Sequence, residues 1–169
     1  MRARRVLIAG CGELGIAIGA GMPDAEVHGL RRDVSRLPPG LLPVAADLLS
    51  GSGFRQLPAG IDTLVLAPTP AARTEADYRA IFVDAPQRLL AALPDPAPGL
   101  RLIYVSSTAV YAQDAGEWVD EASACAPLAF NGRVLLEGER RVRQLVGDCS
   151  VLRLSGLYGN GRQRLLQRV

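Results

Sequence analysis

The sequence contains no lysine; all 19 of its basic residues are arginine. Every positive side chain is therefore a guanidinium that stays protonated, and none can act as a tunable base. Histidine is almost as scarce. His28 is the only one, and it lies within a run of strand formers, which disfavours any histidine-based triad. Aromatics make up 5% of the chain, so Leu, Val, Ile and Ala must fill the core. Cys11, Cys125 and Cys149 are odd in number and have no metal-ligand spacing, so free thiols are the expected state. No apolar run approaches the roughly 18 residues that a bilayer span needs, so no membrane partner is expected. The basic start, Met1-Arg2-Ala3-Arg4-Arg5, precedes only Val6 to Ala9, too short for a signal-peptide core, and cytoplasm is the default compartment. A net charge of +2 is far below what a dedicated nucleic-acid binder concentrates.

What the sequence does have is a rhythm of short apolar run, turn and helical stretch across 169 residues, a single domain's worth of chain. Arg5 to Ala9 carries no polar alternation, as expected of a strand buried on both faces. Glu13 to Gly21 reads as a helix, Glu26 to Leu30 as a second strand, and Leu41 to Ala46 contains a third. Ile61 to Ala67 is a fourth strand, stopped by Pro68 and Pro70. A long helix follows over Thr74 to Leu93, which Pro86 should kink or split. Leu102 to Ser106 is a fifth strand, Phe130 to Val146 a helix, and Ser150 to Leu154 a sixth strand. Alternating strands and helices call for a three-layer α/β fold, a doubly wound parallel sheet in the Rossmann order 3-2-1-4-5-6 over residues 1–169.

Gly10-Cys11-Gly12-Glu13-Leu14-Gly15 is a G-x-G-x-x-G turn between the first strand and the first helix. In that context Gly10 permits the tight turn, Gly12 admits a pyrophosphate to the backbone, and Gly15 lets helix and strand pack closely. The amides and positive end of the helix, including Glu13 and Leu14, then face the phosphates. The alternative is an ordinary glycine-rich turn. At the end of the second strand an NAD site usually places a carboxylate on the ribose 2′-hydroxyl. Here Arg31 follows Leu30 directly and Arg32 comes next, which suits the 2′-phosphate of NADP. Asp33 keeps NAD open as the alternative cofactor. Asp47, followed by Leu48, ends the third strand within reach of an adenine, or else Asp47 is a plain N-cap for the next helix.

Several segments together resemble the NAD-dependent epimerase/dehydratase family, the extended and atypical short-chain dehydrogenases/reductases. They are Gly10 to Gly15, Leu30-Arg31-Arg32, Leu66 to Pro70, Tyr104-Val105-Ser106-Ser107-Thr108-Ala109-Val110-Tyr111, and Arg153 to Arg162. The resemblance implies that Ala67, Pro68 and Thr69 line the cofactor. It also implies that Ser107, or its neighbour Thr108, hydrogen-bonds the reacting oxygen of a small-molecule substrate. The bland reading of these hydroxyls is that they end the strand and bond the backbone. The family's usual Tyr-x-x-x-Lys pair cannot exist in a chain without lysine. The equivalent stretch, Pro127 to Val134, offers Phe130 and Val134 in one register and Ala129 and Arg133 in the next. Arg133 is a candidate ribose or phosphate ligand but not a base. Gly132-Arg133 with Glu139 resembles the atypical branch in which the pair is lost, and Tyr111 stands as a remote substitute acid. The resemblance thus points to an oxidoreductase or epimerase on a nucleotide sugar or related carbonyl compound, with a non-catalytic dinucleotide sensor or carrier as the alternative. Arg162 to Val169 reads as a helix just beginning, or a complete terminal one. On either reading most of the family's smaller substrate-binding region is expected to be absent, and apolar surface left open favours a homo-oligomer.

Overall fold

The computed structural model describes residues 3–157. The Tyr158 to Arg162 motif segment and the helix expected to Val169 lie outside them. Six strands form: β1 (Arg4–Ala9), β2 (Ala25–Arg31), β3 (Leu42–Ala45), β4 (Thr63–Leu66), β5 (Arg101–Ser107) and β6 (Asp148–Leu154). They make one sheet in the order β3-β2-β1-β4-β5-β6, and every neighbouring pair is parallel. This is the doubly wound order expected from the alternation of elements.

Alternation along β1 separates the two layers that cover the sheet. Val6 and Ile8 pack with Leu14, Ile16 and Ile18 of helix α1 (Glu13–Ala20). Leu7 and Ala9 point the other way, into a larger core with Ile81, Phe82, Ala85, Leu89, Leu135 and Val142. That second layer is built by α2 (Glu75–Arg79), α3 (Ala85–Ala92) and α4 (Phe130–Leu145). Val6 to Ala9 are wholly buried, which accounts for their lack of polar alternation. Toward the β6 edge, the α1 side is more open: Ile103 and Val105 are half-buried and Leu152 is exposed. No helix among the described residues is long and apolar enough to cross a membrane.

The stretch expected as one long helix is continuous but changes pitch. Between α2 and α3 lies a π-helical segment, Ala80–Asp84, and Pro86 falls in the first turn of α3. The irregularity therefore precedes the proline instead of sitting on it. Pro86 has no N–H for the carbonyl of Phe82, four residues back. Tyr104, wholly buried on β5, supplies the missing donor: its hydroxyl donates to Phe82 O at 2.9 Å. Burial, and secondarily Glu139, push the Tyr104 phenol well above its ordinary range, so it remains a donor. On α4, Gly138 leaves room for this bond; a Cβ there would meet the Tyr104 hydroxyl and stand 2.5 Å from Phe82 O.

Candidate functional site

The parallel sheet brings the carboxyl ends of β1, β2 and β4 level, with Ala9 opposite Leu30 on one side and Leu66 on the other. The turn leaving β1 is tied to β2: Gly10 and Cys11 both donate their amides to Leu30 O, at 3.1 and 3.0 Å. Above these ends opens a cleft of about 680 Å³. Gly10, Gly12, Arg31, Arg32, Asp47, Leu48, Pro68 and Thr69, all expected at a cofactor site, line it together.

The three glycines of the turn serve different purposes. Gly10 has φ of +80°, and a Cβ there would stand 2.6 Å from Pro68 Cα, so this glycine lets the β1 and β4 ends meet. Gly15 is buried against β1, and a Cβ would come within 2.9 Å of Ile8 Cγ2. Gly12 is unlike both. It caps α1 with ordinary negative φ and no side-chain cap, and a Cβ there would meet only Gly10 O, at 3.9 Å. Nothing in the protein's own packing demands glycine at position 12; the open space belongs to the cleft. First-turn amides have no partner inside their helix, so the α1 N-terminus presents donors and a positive dipole end to this space. Glu13 is exposed in that first turn, and Leu14 and Ala67 lie beside the turn, packed in the α1-side core.

Beside the turn, at the β2 end, positive charge gathers. Arg31 Nη1 donates to Cys11 O at 3.1 Å, which lays its guanidinium along the glycine turn. Arg32 and Arg36 line the same rim. Asp33 lines it too, but its carboxylate is engaged with the turn that follows. It accepts from Ser35 Oγ at 2.6 Å and Ser35 N at 3.2 Å, and pairs with Arg36 Nε at 3.3 Å. The Ser35 hydroxyl, then its amide, hold the Asp33 carboxyl below its usual range. Asp47 is likewise engaged as a turn cap: its carboxylate accepts from Leu49 N and Ser50 Oγ, both at 3.0 Å. Arg36, Leu49 and Ile81 are also part of the lining without having been expected there. Ile81 reaches the cleft from the π-helical segment, whose position depends on Pro86 and Tyr104, a tertiary circumstance that periodicity does not carry.

The other expected site residues lie elsewhere. Ser107 ends β5, and its hydroxyl accepts from Ala109 N at 3.2 Å, capping the 3₁₀ turn Thr108–Val110. Both Ser107 and Thr108 remain half-buried. β5 is the neighbour of β4, so these hydroxyls stand on the side of the sheet away from the arginine rim. The first turn of α4 packs on them closely, because a Cβ at Gly132 would collide with Ala109 O. Phe130 sets its ring edge-on to Tyr78, 5.5 Å between centroids. Arg133 is exposed, its guanidinium donating to Leu128 O, and it does not line the cleft. Val134 is buried. No group of acidic, histidine and cysteine side chains among the described residues is arranged to hold a metal ion. His28 is buried in β2 with Nε2 2.8 Å from Glu26, and the three cysteines are free.

A family model described as the RmlD substrate binding domain matches residues 68–169. No curated protein matches the chain significantly. Among solved structures, a candidate NAD-dependent epimerase/dehydratase from Methylobacillus flagellatus is 31% identical over 99% of this chain and 59% of its own, with a TM-score of 0.73. A UDP-glucuronic acid 4-epimerase from Bacillus cereus, solved with NAD, is 20% identical over 94% of this chain and 58% of its own, at a TM-score of 0.71. A short-chain dehydrogenase/reductase superfamily protein from Agrobacterium tumefaciens, solved with bound NAD, is 24% identical over 89% of this chain and 48% of its own, at a TM-score of 0.69. The chain thus spans less than two thirds of each of these structures, and the last two likenesses are of fold.

Proposed function

The chain belongs to the NAD-dependent epimerase/dehydratases, through the RmlD substrate binding domain family, and on that premise we propose that it holds a nicotinamide dinucleotide, NADP in preference to NAD. The observation that carries this reading is the cleft itself. A glycine with no packing reason to be glycine opens onto the α1 N-terminus, and arginines line the β2 side. The residues suit the group. Gly10 and Gly12 offer backbone to a diphosphate, and first-turn amides offer donors. Arg31, Arg32 and Arg36 offer guanidinium forks to a 2′-phosphate. Asp33, the residue that would favour NAD, spends its carboxylate on Ser35 and Arg36. Asp47 and Leu48 flank the adenine end, and Ala67, Pro68 and Thr69 the middle of the cofactor.

Such a cofactor supplies hydride transfer at its nicotinamide ring. The chain's own contribution to a reaction would lie at Ser107 and Thr108, whose hydroxyls hold and orient the oxygen of a carbonyl substrate such as a nucleotide sugar. The activity is that of an oxidoreductase or epimerase. A second reading, a dinucleotide sensor or carrier without turnover, is favoured by one observation. With no lysine, no side-chain amine stands by to lower a phenol's pKa, and Arg133 is turned to Leu128 O instead.

The cofactor assignment is tested by Arg31→Glu. NADPH binding, followed by nicotinamide fluorescence, should weaken by about tenfold or more, as expected for losing a charge-assisted pair. NADH binding should change little. Equal losses for both dinucleotides would remove the 2′-phosphate role. Turnover of candidate nucleotide sugars by the NADPH-loaded protein separates the enzyme from the carrier.

A further inference from the structure

Behind the β5 end lies a buried ion pair that the cleft does not use. Glu139 of α4 is wholly buried, and both of its carboxylate oxygens are engaged. Oε1 accepts from Ser106 Oγ at 2.6 Å and from Arg153 Nε at 3.1 Å. Oε2 accepts from Arg153 Nη2 at 2.8 Å and Nε at 3.3 Å. Arg153, on β6, sends its remaining arm, Nη1, to the Tyr111 hydroxyl at 3.0 Å. That hydroxyl donates onward to Asp120 O at 2.8 Å. No buried side-chain nitrogen or oxygen is left unpaired among the described residues.

The placement of this network is informative. Burying a carboxylate and a guanidinium is costly, and an apolar pair of the same volume often packs as well or better. Here the ions join α4 to β6 and reach β5 at Ser106, one residue before Ser107. On the far side they reach Tyr111, whose amide in turn donates to Thr108 O at 3.0 Å. Ser107 and Thr108 are thus bracketed on both sides by anchors on one charged group.

We infer that Glu139 and Arg153, acting through Ser106 and Tyr111, are positioning residues that fix the Ser107–Thr108 hydroxyl edge beside the β4 end of the cleft. This rests on the dinucleotide reading, which places the nicotinamide half of the cofactor on that side and the 2′-phosphate half at the arginine rim. Two probes separate the halves: NADPH, and 2′-phospho-ADP-ribose, which carries the adenosine half and diphosphate but no nicotinamide. In the full chain, Glu139→Gln and Arg153→Lys should weaken NADPH binding by about tenfold, the worth of about one hydrogen bond lost where the displaced edge borders the nicotinamide half. Affinity for 2′-phospho-ADP-ribose should stay within about twofold, because its contacts are distant and independent. Ser106→Ala, which deletes a single contact, should shift the ratio in the same direction and serves if the charged variants do not fold. Equal losses for both probes would reduce the network to general stability, and no loss for either would remove it from the site; both overturn the inference. A wild-type chain that binds neither probe overturns the dinucleotide reading itself, and this inference with it.

Discussion

The two halves of the sheet's carboxyl edge are built by opposite means. Over β1, β2 and β4 the protein leaves space: glycines, the α1 N-terminus and guanidinium groups face a cleft that the chain itself does not fill. Over β5 and β6, on the α4 side, it closes the space with side chains: a wholly buried carboxylate, a guanidinium, a phenol and a serine satisfy one another, and Gly132 brings α4 down onto the strand end. An open, backbone-lined edge suits binding of a ligand by its phosphates. A closed, side-chain-wired edge suits the holding of a short segment in one place.

The comparison is broken most forcefully at the ion pair. Glu139→Ala removes the wholly buried partner and leaves the half-buried Arg153 guanidinium without its carboxylate, which should cost about 3 kcal/mol of stability in urea unfolding, the lower end of the range for a broken buried pair. A cost under about 1 kcal/mol, typical of exposed pairs, would mean that this half of the edge is no more closed than the other.

Tyr104→Phe is a smaller probe of the same half. It leaves Phe82 O without its donor beside Pro86, and should cost about 1–3 kcal/mol. An unchanged unfolding midpoint would show that the π-helical segment, and with it the placement of Ile81 in the cleft, does not depend on that hydroxyl.

These two halves also differ in how far the sequence discloses them. The open half is local. Gly10 to Gly15 is a contiguous motif at a strand end, and Arg31 is placed by counting along β2, so Gly10, Gly12 and Arg31 can be brought to one edge before any coordinates. Strand order follows from the same regularity, since alternating strands and helices admit few parallel arrangements. The closed half is not local. Arg153 finds Glu139 across 14 positions and Tyr111 across 42, on elements whose approach depends on how α4 settles on β5. The same holds for Ile81 and for the π-helical turn, where Pro86 signals a disturbance but Tyr104, on a different strand, decides its form. Asp33 shows a further limit. Its sequence position offers it to a ribose, and only the coordinates show Ser35 and Arg36 occupying it.

The central claim is that the open half exists to hold a diphosphate, and Gly12→Val tests it with the least interference. A Cβ at this position meets nothing closer than Gly10 O, at 3.9 Å, so the unfolding midpoint should stay close to that of the wild type. Titration with NADPH should show saturable binding to the wild-type chain and none to the variant. A variant that binds NADPH as tightly as the wild type, or a wild type that does not bind it at all, would contradict the account.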